Sequence, residues 1–187
     1  MRYELPEECR PLVRSLYAWE IQEARRVFAG RLIYETVRVH ECAAWPDTIH
    51  RIGLRLRRLP YDNLPNAVTL GNHCYFPVRL LDTLAPPHHS DFYKLPWLIH
   101  ELTHVWQYQH MGWRYLALAL KAQFRQGANA YDFGGEDGLR EKFSSGWEFK
   151  DFNLEQQGDI ARSYYERLIR GQQVEAWQPF IAELQEA

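Results

Sequence analysis

The chain has 187 residues, 46% apolar and 25% charged, the balance of a soluble globular protein near the size of one domain. That balance excludes a disordered tail, a collagen-like fibre and a coiled-coil rod. Its 22 basic and 24 acidic side chains leave a formal charge of -2, without the basic excess of a polyanion-binding surface, so no nucleic-acid partner is expected.

Met1 to Pro6 lacks the apolar core of a signal peptide, and no run reaches the roughly 18 apolar residues of a membrane span. The expectation is a cytoplasmic protein with no membrane partner, with export by a signal-less secretion system left open. Pro6 with Glu7 and Glu8 predicts a first helix, with Leu12, Leu16, Trp19, Glu23 and Val27 near one face and Gly30 as its stop. Alternation at Ile33, Glu35, Val37 and Val39 reads as a strand to about His40. Trp45-Pro46 breaks it, and 47–56 reads as a short helix; the local basic cluster Arg51, Arg55, Arg57 and Arg58 reads as a solvated face, with a small anion patch as the alternative. Ala67–Leu70 and His73–Phe76 flank Gly71-Asn72, a two-residue hairpin turn. A helix follows from about Asp91 to His110, then another from Arg114 to about Gln126. The glycine-rich stretch 127–146 reads as loop. Asn153 caps a helix to about Ile169, and 174–184 is a weaker one containing Pro179. Cys9, Cys42 and Cys74 are odd in number, with no CxxC pair, and read as three reduced thiols. The pattern is α+β, mostly helical with a small antiparallel sheet.

Chemistry concentrates in His100-Glu101-Leu102-Thr103-His104, an HExxH motif. Residues four apart on a helix lie about 40° apart around its axis, so His100 and His104 can offer imidazole nitrogens to one Zn²⁺. Glu101, at the edge of that face, can reach a water on the metal and serve as general base. The other face of the helix is apolar (Leu98, Leu102, Val105 and Trp106, with Ile99 beside them), and burying two histidines and a glutamate there is expensive unless something neutralises them.

A third protein ligand is needed. His110 has the spacing of the metzincin third histidine, but Gln107 stands where that pattern has its turning glycine. Asp132 and Glu136 lie in the glycine-rich stretch. Glu155, with Asp159 four residues on, resembles the gluzincin ExxxD pattern, in which the glutamate binds zinc and the aspartate orients a ligand histidine. Glu155 is favoured because it supplies ligand and orienting carboxylate together.

Ile99 to Gln107, preceded by Thr69–Phe76 and Val37–His40, resembles a bacterial family of small zinc metallopeptidases sharing a short strand, a GN-x-x-YF hairpin and HELTHVxQ. Members occur as modules near Vgr, Rhs and contractile-injection proteins. Asp151–Asp159 and Tyr164-Tyr165 look like the FNxEQQ…YY segment of its Vgr-related members. The resemblance implies one zincin-like domain over 1–187, with His100, His104 and Glu155 as zinc ligands, Glu101 as base and Asp159 behind them. It also implies an edge strand above the metal helix, drawn from Leu70–Phe76, to which an extended substrate adds. Candidates for stabilising the developing oxyanion are Tyr131, Tyr164, Tyr165 and His73. The expected function is zinc-dependent hydrolysis of a peptide or protein substrate. The alternative is a non-catalytic zincin-fold module binding a Vgr- or Rhs-type secretion partner.

Overall fold

The computed structural model describes residues 9–46, 66–81, 93–115 and 131–186. The expected helix at 47–56, the basic cluster Arg51 to Arg58 and most of the helix from Arg114 lie outside those residues. What is described is mixed α and β, with five complete helices and a four-stranded sheet.

Strand β1 (Leu12–Arg14) precedes helix α1 (Ala18–Phe28). The predicted first helix therefore starts later than its apolar spacing implied, because Leu12 and Arg14 are taken up by strand pairing. A 3₁₀ turn, Tyr34–Thr36, replaces the start of the predicted second strand, and β2 is Arg38–Glu41. The hairpin is present as β3 (Val68–Leu70) and β4 (His73–Tyr75), with Gly71 at φ +63° in its turn. Strand order is β1-β2-β4-β3. The sheet is not wholly antiparallel, since β2 and β4 pair in parallel. The turn reverses the chain after β3, so β4 joins β2 running the same way.

Helix α2 (Lys94–Met111) is buried continuously from Leu98 to Gln107. Such a helix must be covered on every side: β3 and β4 pack on it, and so does helix α4 (Leu154–Ile169). Gly112, at φ +62°, ends it. Helix α3 (Gly135–Ser144) forms inside the predicted loop. Its glycines are structural: Gly134 stands at the cap with φ +87°, and a Cβ on Gly138 would lie 2.8 Å from the Phe133 carbonyl. Helix α5 (Gln178–Glu186) takes Pro179 in its first turn, where no amide donor is needed.

The cysteine expectation is overturned for two of the three. Cys9 and Cys42 form a disulfide with their Cα atoms 5.6 Å apart, and only Cys74 is a free, buried thiol. Beside the bridge, Arg14 lies between buried Glu20 (2.6 Å) and Glu41 (2.9 Å).

Candidate metal centre

The site lies where α2 faces α4. Asn153 Oδ1 accepts from the Gln156 amide at 2.9 Å, and Gln156 Oε1 accepts from the Asn153 amide, so α4 begins at a fixed residue. Glu155 then falls in its first turn and Asp159 one turn later, both toward α2.

His100 Nε2 and His104 Nε2 are 3.2 Å apart, and each is 3.5 Å from Glu155 Oε2. Ligands 2.0–2.1 Å from one ion at tetrahedral angles would be separated by about 3.3 Å. The three donors therefore stand at metal-ligand spacing, and they are the one such cluster among the described residues. Both remaining imidazole nitrogens are engaged: His100 Nδ1 is 3.1 Å from Asp159 Oδ1, and His104 Nδ1 is 2.8 Å from Gln107 Oε1. With Nδ1 donating in each ring, both Nε2 lone pairs face Glu155.

Gly158 makes the close approach possible. A Cβ there would lie 2.7–3.0 Å from three atoms of the His100 ring. The ring thus rests directly on the α4 backbone, in a gap that any side chain would fill.

All four motif groups are buried. An unpaired buried charge costs several kcal/mol, more than the roughly 1.5–3 kcal/mol gained by burying a neighbouring leucine or isoleucine, so the arrangement requires mutual pairing. Burial opposes charge on His100, but hydrogen bonds to Asp159 and Glu155, with Glu101 nearby, push its pKa up to about 10. Burial likewise opposes charge on His104 and is outweighed by Glu155, which raises it. Burial would raise Glu155, yet the two imidazoles hold it well below the usual carboxylate range. A centre this demanding of positive charge suits a divalent cation.

Glu101 stands apart from the three donors. Its Oε2 accepts from Thr69 Oγ1 at 2.8 Å, which ties it to β3. β3, not β4, is the outermost strand on this side of the sheet, so the His73–Tyr75 half of the expected edge is interior. Tyr115 closes one end of it, donating to the Thr69 carbonyl at 2.8 Å and accepting from the Gly71 amide at 3.2 Å.

The other candidates lie elsewhere. His110 Nδ1 bonds the Trp106 carbonyl, Asp132 accepts from the Gly134 amide, and Glu136 pairs with Arg140 and Arg167. Among the oxyanion candidates, Tyr165 donates to Glu23, Tyr164 packs on the core, and His73 pairs with His40. Tyr131 alone of the four has its ring near the centre, 6.3 Å from that of His100. Sequence reading missed Thr69, Gly158 and the role of Gln107. The only advance signal was Gln107 at helical spacing, three residues after His104.

No family model matches the chain, and no solved structure matches it. It is 31% identical over 152 residues to the type VI secretion system spike protein VgrG2b of Pseudomonas aeruginosa. The match takes in 81% of this chain but only 13% of that protein's length. The chain is thus similar to a small segment of a much longer spike protein.

Proposed function

We propose that this chain is a metal-binding module that works with a type VI secretion spike, and that its chemistry is zinc-dependent hydrolysis of peptide bonds. The likeness to a segment of VgrG2b supports the secretion association. The convergence of His100 Nε2, His104 Nε2 and Glu155 Oε2 at tetrahedral spacing supports the metal, and two imidazoles with one carboxylate are a ligand set of catalytic zinc. The HELTHVWQ and FNLEQQ segments favour a zincin-like fold and the site roles assigned from sequence.

A divalent ion held there supplies Lewis acidity and brings the pKa of a coordinated water to roughly 7. The chain's own residues do the rest. Thr69 orients the Glu101 carboxylate through Oε2, assigning Oε1 to take up a proton and return it to the leaving amine. Asp159 holds the His100 proton on Nδ1.

A non-catalytic spike module is the second reading, favoured by the spike likeness itself. Metal content and hydrolysis of an unfolded protein, measured on wild type, His100→Ala and Glu101→Gln, separate the two. The enzyme reading expects about one equivalent of zinc in wild type and Glu101→Gln, with hydrolysis in wild type only. Zinc retained without turnover, together with tight binding to a spike protein, establishes the second reading. Wild type with no more metal than His100→Ala refutes the centre.

A further inference from the structure

We propose that Gln107 and Gln157 are positioning residues: a relay of two amides carries the polarity of three backbone carbonyls to His104 and holds its proton on Nδ1. This deepens the metal-centre reading and rests on it for its consequence, though the relay itself stands on hydrogen bonds.

A carboxamide can in principle present either end, so something must set its direction. Gln157 Nε2 donates to the carbonyls of Phe149 and Phe152, each at 3.1 Å. Carbonyls only accept, so that end must be the amine, and Gln157 Oε1 is turned the other way. There it accepts from Gln107 Nε2 at 2.9 Å. Gln107 gives its second proton to the Leu154 carbonyl at 3.0 Å. Both its protons are then committed, and Gln107 Oε1 faces His104 Nδ1 at 2.8 Å as an acceptor. His104 must donate there, which leaves Nε2 as its lone-pair nitrogen toward Glu155.

Flipping either amide would set an oxygen against the oxygens it now donates to and break those bonds. Gln107, Gln157 and His104 are all buried, at 0%, 5% and 7% exposure, so these bonds are made largely away from bulk water. The two ligand histidines are therefore oriented by different means. His100 is held by Asp159, a charged group that also meets Arg162 at 3.4 Å. His104 is held at Nδ1 by a neutral amide. The relay fixes a proton without adding negative charge, and Glu155 is left as the charged ligand.

The consequence is that a substitution touching no ligand, at Gln157, loosens His104. The experiment has two readouts, neither of them turnover. The first is the imidazole N–H spectrum of metal-free protein with nitrogen labelling, in which wild type should show His104 Nδ1–H as a slowly exchanging proton. Gln107→Leu and Gln157→Met should speed its exchange or abolish it. The second is Co²⁺ affinity followed by visible absorption, expected to fall about 10–100-fold in Gln107→Leu and about tenfold in Gln157→Met, in the range of lost outer-shell partners. Should Gln107→Leu fail to fold, Gln157→Met carries the test. The proposal is overturned if wild type lacks the protected Nδ1 proton, or if a folded variant keeps both that proton's protection and wild-type Co²⁺ affinity. Absence of Co²⁺ binding in wild type with the Nδ1 proton protected sinks the metal reading and leaves the relay standing.

Discussion

Among the described residues, two clusters of buried charge are completed in different ways. At the β1–β2–α1 junction, Glu20 and Glu41 close on Arg14, whose guanidinium bonds both carboxylates within 3 Å. That cluster carries its own cation. At the α2–α4 junction, two imidazoles and Glu155 converge at similar distances with no arginine or lysine among them. Burial opposes charge on both rings there, and the surrounding carboxylates outweigh it and raise their pKa values, so the site favours positive charge without supplying a side-chain cation. The lesson is that burial and charge alone do not identify a functional centre. A cluster whose cation is a side chain is structural, and one whose donors converge on a common point is built to receive an ion.

The largest expected effect sharpens this contrast within the second cluster. Glu101→Gln should retain metal and lower peptide hydrolysis by about 10²–10⁴-fold, the usual contribution of a general base. Metal content alongside initial rates checks it, and turnover equal to wild type would remove Glu101 from the chemistry. Arg14→Ala should cost about 3–5 kcal/mol, because it strands two buried carboxylates. Denaturant unfolding measures that loss, and chelator should neither mimic nor relieve it. Cys42→Ser should cost about 2–4 kcal/mol by releasing the bridge to Cys9, and only under oxidising conditions. Unfolding with and without a thiol reductant tests this, since equal midpoints for wild type would mean the bridge contributes nothing.

Gly158→Ala is the smallest change and the most local. Alanine normally favours a helix interior by about 1 kcal/mol over glycine. Here the added methyl meets the His100 ring, which Asp159 and Glu155 hold in place. Zinc affinity should fall about tenfold or more. Unchanged affinity, by competition with a coloured chelator, would show that the ring does not need its seat on α4.

Much of the centre was legible in the amino-acid sequence because its chemistry is local. His100, Glu101 and His104 share one helix, and Asn153 announces the start of the other, so periodicity puts Glu155 and Asp159 on one face of it, while their roles came from the resemblance to the ExxxD pattern. The β3–β4 hairpin was equally readable, because Gly71-Asn72 demands a tight turn. What escaped depends on contacts between distant segments. Gly158 matters only because a ring from α2 lies on it, and Gln157 only through its bonds to Gln107 and two carbonyls. The parallel joining of β2 to β4 is likewise a tertiary choice. In α3 the glycines resembled loop punctuation, whereas buried Leu139 and the Glu136–Arg140 pair support a helix. Three cysteines do not reveal which two will meet.

The central claim is that His100, His104 and Glu155 hold one divalent ion. A crystal of protein purified without added metal, with data collected on both sides of the zinc absorption edge, tests it most directly. The account predicts one anomalous peak, present only above the edge and bonded to His100 Nε2, His104 Nε2 and Glu155. No peak between those atoms in crystals then soaked in zinc, with the three side chains placed as described, would contradict it.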